Sequence, residues 1–414
     1  MDSRPQQHRR RFCGQLACAL PPLWALRANA AQSQPSTPDT RSNAKPEIGV
    51  SATTILVGQS APLTGPAAEL GIHLNRGARL CFDQVNRQGG IFGRQIELRA
   101  LDDAYDPEET KRNTRTLLVD GMFALFGYVG TSMSLAVLPL VQQARIPFIA
   151  PMTGARALRS PFNRHVFHVR AGYDRETAAI VRQIATSGLR RLAVVYNNDS
   201  YGREGLEGIA NAVQARTAAD LHITGRHAVE RNAVDVGVAT TAVLAQEPDA
   251  IAVISAYGTA AAFIREALRQ GYAGQFYCLS SVGTTSLAKA LGGQAAGVVV
   301  SQVMPSPRNG TLPLVRDYKR LLNAASEANA NSHASLEGFI GALTFVEGLR
   351  RAGRDLSRER FVRALETLNN YDPQGYGPPV SFGPDRRTGA RGGYVAALER
   401  SRGLVPASGW ISLD

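Results

Sequence analysis

The string Gly127-Tyr128-Val129-Gly130-Thr131-Ser132 runs from an apolar stretch into a helical pattern. At such a junction the first backbone N–H groups have no partner within the helix, and the helix dipole presents its positive end. Two hydroxyls stand beside them. That combination suits an anion, and a carboxylate best. Thr131 serving only as the helix cap is the alternative. Pro151-Met152-Thr153-Gly154, at the end of the next apolar run, offers a second hydroxyl beside a glycine. In a doubly wound lobe these two loops are neighbours, so Thr131, Ser132, Met152, Thr153 and Gly154 are expected to converge. Further along, Tyr201 follows a strand in Asn197-Asn198-Asp199-Ser200-Tyr201-Gly202, and Tyr257 ends one in Ala256-Tyr257-Gly258. Each ring is placed either to cover a ligand from the opposite lobe or to pack on the surface.

Groups for covalent chemistry are scarce in these loops. Neither G-x-x-x-x-G-K nor G-x-G-x-x-G after a strand occurs, so no phosphate loop or dinucleotide cofactor is expected. Gly58-Gln59-Ser60-Ala61-Pro62 falls one residue short of a nucleophile elbow, because Pro62 stands where the last Gly belongs. H-E-x-x-H and C-x-x-C are absent. His165 and His168 lie on an extended segment that points them to opposite faces. Asp102, Asp103 and Asp106 read as helix-capping acids rather than cation ligands. No catalytic residue, no metal and no cofactor is expected, and the chain reads as a binder rather than an enzyme.

The elements that would position these loops follow a repeated pattern. Between residues 54 and 300, six β-branched apolar runs each end in a small polar loop and give way to an amphipathic helical pattern. This alternation predicts parallel sheets whose strand ends face a common crevice. The first series has strands at Ile55–Gly58, Gln95–Leu101, Phe123–Gly127 and Ile146–Ile149. Asp106-Pro107-Glu108-Glu109 marks a helix start, with an Asp cap, a first-position Pro and acids in the first turn. His165–Arg170 is extended and leads to a second series at Leu192–Tyr196, Leu221–Ala228, Ala250–Ala256, Gln275–Leu279 and Gly297–Val303. Two like series predict two lobes of like topology. Helical patterns at Leu312–Ala325, Ser335–Ala352 and Arg358–Leu368 follow, and Pro379–Trp410 alternates like a hairpin. So many helices after both sheets are expected to return to an earlier lobe, which gives several crossings and a hinge.

Length and composition agree with two domains: 414 residues, 44% apolar and 19% charged. No apolar run reaches the roughly 18 residues of a membrane span. His8-Arg9-Arg10-Arg11, the apolar stretch Phe12–Leu26 and Ala28-Asn29-Ala30 read as a signal peptide cut after Ala30. Arg9-Arg10-Arg11-Phe12 also resembles a twin-arginine signal. Acylation of Cys18 is disfavoured by Gln15 and the short apolar run before it. Residues 31–46, rich in Ser, Thr, Pro, Gln and Asn, read as a flexible leader. The formal charge is +12, or +8 without residues 1–30, and the basic residues are scattered without aromatic interleaving, so no nucleic-acid binding is expected. Cys81 and Cys278, in a helix and a distant strand, are expected as buried free thiols although an oxidising compartment would permit a disulfide.

Taken in order, Gly58-Gln59-Ser60-Ala61-Pro62-Leu63-Thr64-Gly65, Gln88-Gly89-Gly90-Ile91-Phe92-Gly93-Arg94, Asp199-Ser200-Tyr201-Gly202 and Ser335-Leu336-Glu337-Gly338-Phe339 carry a resemblance. From about Ile55 to Val405 the chain resembles the periplasmic branched-chain amino acid (Leu/Ile/Val)-binding protein family, type I solute receptors of ABC importers. The resemblance implies an α/β fold of two Rossmann-like doubly wound lobes joined by a three-crossing hinge. The expected divisions are 47–168 with 304–378 for lobe 1, and 169–303 with 379–414 for lobe 2. The family's hydroxyl-bearing, carboxylate-holding loop matches Thr131-Ser132, its second loop matches Met152-Thr153-Gly154, and its second-lobe aromatic matches Tyr257. Ser60 and Leu63 of the first string join the expected ligand-facing set with Tyr201, Ser280, Ser281 and Glu337. One departure stands out. Amino-acid binders carry an acid after the strand at Gln275–Leu279 to pair with the ammonium, whereas this chain reads Leu279-Ser280-Ser281-Val282-Gly283. A buried ammonium without a countercharge is costly. Either Glu337 or Asp199 substitutes, or the ligand lacks an amine.

The expected function is periplasmic delivery of a small carboxylate, an amino acid or an aromatic or aliphatic acid, to an ABC permease by a monomeric receptor whose cleft closes on it. A sensor of the same fold, presenting the ligand to a membrane signalling partner, is the alternative.

Overall fold

The computed structural model describes residues 47–215, 221–373, 379–390, 392–399, 403–406 and 411–412. The expected signal over 1–30, its cleavage point after Ala30, the leader over 31–46 and parts of the tail lie outside the described residues.

The first series folds as β1 (Thr54–Ala61), α1 (Ala68–Arg87), β2 (Gln95–Asp102), α2 (Pro107–Val119), β3 (Ala124–Phe126), α3 (Thr131–Ala144), β4 (Phe148–Ile149) and β5 (Val166–Phe167). Its five strands are parallel, in the order β2-β1-β3-β4-β5. A parallel sheet covered by helices on both faces is buried throughout, which is why β3 and β4 have no exposed position. As the sequence indicates, Asp106 caps α2, accepting from the backbone N–H of Glu108 at 2.7 Å and of Glu109 at 3.1 Å.

The second series gives α4 (Tyr173–Thr186), β6 (Arg191–Asn197), α5 (Ser200–Gln214), β7 (His222–Val229), α6 (Gly237–Leu244), β8 (Ala250–Ile254), α7 (Tyr257–Arg269), β9 (Gln275–Cys278), α8 (Thr284–Leu291) and β10 (Val299–Gln302). These strands are parallel in the order β7-β6-β8-β9-β10. Numbered within its own series, each sheet reads 2-1-3-4-5. In that topology a crevice opens where the strand order reverses, between the first and third strands. Residues at the two crevices pack together, Ala61 and Val129 of the first with Ala256 and Tyr257 of the second.

Then come α9 (Pro313–Ala324), α10 (His333–Ala352) and α11 (Arg358–Glu366), followed by β11 (Gly392–Glu399), β12 (Gly403–Pro406) and β13 (Ile411–Ser412). The three helices bury their apolar sides in the core of the first sheet, where Leu314, Tyr318, Leu336, Ile340, Phe345 and Phe361 join Phe82, Phe123 and Phe126. Helices α1 and α10 meet backbone to backbone through glycines. A Cβ on Gly77 would strike the Ser335 carbonyl, and one on Gly338 the Leu74 carbonyl. The chain thus passes between the sheets three times: after β5, after β10 and after α11.

The tail departs from its expected extent. A hairpin does form, but only β11 and β12 build it, with β11 antiparallel to β10 at the edge of the second sheet. Residues from 379 to 390 make single bridges instead, Tyr371 with Val380 and Gly383 with Arg386. The short Gly383–Arg386 turn breaks the alternation there. Cys81 on α1 and Cys278 on β9 are buried free thiols. Among the described residues, no helix is long and apolar enough to cross a membrane.

Candidate functional site

The loops after β3 and β4 lie side by side. The Gly130 N–H donates to the Met152 carbonyl at 3.2 Å, and the Met152 N–H to the Tyr128 carbonyl at 2.7 Å. The strand-to-helix turn needs φ of +97° at Gly130, a conformation open to glycine, and a Cβ there would also strike Met133 and Tyr105. Gly130, not Thr131, is the cap residue of α3. The Thr131 hydroxyl instead lies 2.7 Å from that of Thr153, and both lie 3.4 Å from the Tyr173 hydroxyl. Tyr173 opens α4, in the second lobe, and its hydroxyl is 3.0 Å from the Ser281 hydroxyl in the loop after β9. One phenol therefore ties hydroxyls of the first sheet to one of the second. Nearby, the Ser132 and Tyr201 hydroxyls are buried with no protein partner. Tyr201 packs at 5.5 Å on Tyr173, and burial pushes its phenol well above the usual range, leaving a neutral donor.

Deeper toward the crossings sits a cluster of charge. Arg170, between β5 and α4, is 1% exposed. Its Nη2 donates to Glu176 at 3.3 Å and also to the Ser280 hydroxyl. Its Nη1 lies 3.4 Å from the Glu337 carboxylate on α10. Nε and Nη1 make no hydrogen bond. Glu176 is well served: it accepts from the Ser280 N–H at 2.9 Å and the Ser301 hydroxyl at 2.5 Å. Burial opposes the charge on Arg170, but Glu337 and then Glu176 outweigh it and hold the guanidinium above its usual range. Burial raises Glu337 above the ordinary carboxylate range, against the pull of Arg170.

Between these groups lies a cavity lined by Leu70, His73, Met152, Ser280, Gly283, Thr284, Gln302, His333 and Glu337. Its volume is about 10 Å³, room for roughly one water, so admitting a solute requires the walls to part. Leu70, Leu74, Tyr105, Val129, Met133, Met152 and Ala256 form an apolar cluster beside it, with Tyr257 half-buried against it. The walls meet across the cleft through Glu69 and Lys289 at 2.7 Å. Burial pushes the His333 ring down to about 3, and neither of its nitrogens has a partner.

Nine of the twelve expected residues fall into three groups. Thr131, Thr153 and Ser281 meet at Tyr173, with Ser132 and Tyr201 close by. Ser280 and Glu337 meet at Arg170, and Met152 and Tyr257 contribute apolar wall. Gly154 packs so closely on Tyr173 that no side chain fits there, and its carbonyl accepts the Tyr173 N–H at 2.8 Å. Ser60 is turned into its own lobe. It donates to Asp103 at 2.8 Å and accepts from Asn113 at 3.1 Å. The Leu63 N–H donates to Asp102 at 2.8 Å. Asp199 caps α5 through the Gly202 N–H at 3.0 Å.

Sequence reading passed over Arg170, Tyr173 and Glu176. Their only signal was an arginine closing an extended apolar run, with a tyrosine and a glutamate on the next helical turns.

A profile of the periplasmic binding protein family matches residues 54–403. A substrate-binding periplasmic protein from Ralstonia solanacearum is 33% identical, with TM-score 0.79, over 85% of this chain and 99% of that one. A possible leucine/isoleucine/valine-binding protein from Rhodopirellula baltica SH 1 is 29% identical, with TM-score 0.81, over 88% and 98%. Leu/Ile/Val-binding protein homolog 3 of Brucella melitensis is 26% identical over 163 residues, 39% of this chain and 43% of the relative. The chain spans about half the length of the curated relatives it matches.

Proposed function

Since the chain belongs to the periplasmic binding protein family, we propose that it is the substrate-binding component of an ABC-type importer, taking a small carboxylate-bearing solute in the cleft between its lobes. The observation that carries this reading is the hydroxyl cluster of Thr131 and Thr153 on one sheet with Tyr173 and Ser281 on the other. A carboxylate at the start of α3 would accept from Ser132, Thr131 and the free N–H groups of the first turn, where the dipole favours negative charge. Closing the cleft around it would join the lobes through the same hydroxyls. A ligand that binds only the closed arrangement shifts the population toward it, and an inner-membrane permease can read that shift without any covalent step. The names of the relatives, Leu/Ile/Val-binding among them, support a solute of this size.

In this reading lobe 1 comprises 47–168 and 304–378, and lobe 2 comprises 169–303 and 379–414. Residues 1–30 direct export and are removed. The site holds Thr131, Ser132, Met152, Thr153, Tyr201, Tyr257, Ser280, Ser281 and Glu337, joined by Arg170 and Tyr173. Thermal unfolding of ligand-stripped residues 31–414 against amino acids and simple carboxylic acids tests the proposal. Stabilisation that saturates with ligand concentration is expected. No stabilisation by any carboxylate would overturn it.

A further inference from the structure

Resting on the carboxylate-receptor reading above, we infer that Arg170 is the resident cation of the cleft, and that the ligand is an amine-free carboxylate with an apolar body. The acids around the cleft are already spent. Glu69 pairs with Lys289 at 2.7 Å. Asp103 accepts from Ser60, Thr110 and the Tyr105 N–H. Asp199 is the cap of α5. Glu176 takes Ser280, Ser301 and Arg170. Glu337, which lines the cavity, has the Arg170 guanidinium 3.4 Å away.

An ammonium entering this cleft would find each of these carboxylates already engaged, and a fully buried guanidinium among them. Like charges at such range in a poorly solvated site repel. The polar atoms that make no hydrogen bond point the same way. Arg170 Nε can only donate, as can Nη1 beside its ion pair with Glu337, and the Ser132 and Tyr201 hydroxyls each have a proton to give. The neutral His333 ring adds one donor and one acceptor, so donors still outnumber acceptors and the site asks for an acceptor. Burial also raises Glu337, which makes it a weaker partner for a cation. The remaining wall, with Leu70, Met152, Met133 and Tyr257, matches a hydrocarbon or aromatic body.

The test is calorimetric titration of ligand-stripped residues 31–414 with matched pairs: 4-methylpentanoate against leucine, and 3-phenylpropanoate against phenylalanine. The amine-free member of each pair is expected to bind at least tenfold tighter. Equal affinities, or tighter binding of the amino acids, would overturn this inference and leave the carboxylate-receptor reading standing. Binding of neither member would overturn both. Arg170→Gln, checked for folding by circular dichroism, should release Glu337 and raise leucine affinity at least tenfold over the unaltered protein. Adding Glu337→Gln should cancel that gain. A folded Arg170→Gln protein that discriminates as before would remove Arg170 from the selection. If that variant does not fold, the matched pairs on the unaltered protein decide the matter.

Discussion

The two ends of the cleft are built from opposite materials. One end is neutral: Thr131, Thr153, Tyr173 and Ser281 are hydroxyls that can donate or accept and can change partners without leaving a charge stranded. The other end is ionic: Arg170, Glu176 and Glu337 are buried charges committed to one another. Hydroxyls are cheap to expose when the lobes part, because water replaces each lost bond at little net cost. A buried ion triad is different. It holds the second lobe's α4 against α10 of the first, and stripping one member leaves uncompensated charge. Labour is thereby divided within the cleft. The neutral end is suited to bind and release, and the ionic end to hold the crossing and filter charge.

The largest expected effect falls on the ionic end. Arg170→Gln leaves two buried carboxylates without their cation and should cost about 3–5 kcal/mol of stability, read by urea denaturation. A loss under about 1 kcal/mol would mean that the triad is solvated, and the contrast would collapse. Next comes Asp103, the buried acid behind the neutral end. Burial pushes it up to about 6 from an ordinary 3.8, against hydrogen bonds from Ser60, Tyr105 and Thr110. The fold holds that proton more tightly than the unfolded chain. Its contribution is therefore greatest below pH 4 and falls, by up to about 3 kcal/mol, as pH rises to 6 and beyond. Asp103→Asn should flatten this slope in denaturation curves at pH 4.5 and 7.

At the neutral end Thr131→Val removes one hydroxyl from the cluster. Ligand affinity should drop roughly ten- to a hundredfold, the equivalent of about 1–3 kcal/mol, with folding little changed. An unaltered affinity measured by calorimetry would move the anion site away from α3. The smallest effect is expected from Asp199→Ala, which removes a helix cap and should cost about 1 kcal/mol of stability. Ligand affinity should hold within twofold. A larger loss would make Asp199 a ligand partner and break the division between the two ends.

Much of this was legible from the chain. The alternation of apolar runs with helical patterns marked β1 through β10, and Asp106-Pro107 announced α2 with its cap. Thr131 and Thr153 were legible because hydroxyls at strand ends sit in neighbouring loops in any doubly wound lobe, and the structure sets them 2.7 Å apart. Ser60 looked equally promising, but it is turned toward Asp103 and Asn113. Strand ends specify a loop, not the face on which each residue emerges. The tail's alternation overstated the hairpin because residues 379–390 bond to the segments just after α11 (Leu368, Tyr371) and just after β5 (His168, Val169) rather than to a partner strand.

By itself the sequence determined the two like series, the hydroxyl-bearing loops and the lack of an acid after β9, since these follow from local pattern and residue type. Only the tertiary structure decided the role of Arg170. An arginine at the end of an extended segment reads as a surface charge, because burying it costs too much alone. Its burial is possible only where Glu176 of the next helix and Glu337 of a helix far along the chain meet it from two sides. That meeting depends on the third group of helices folding back onto the first sheet; the sequence led us to expect the return, but no local stretch encodes which side chains it brings to Arg170.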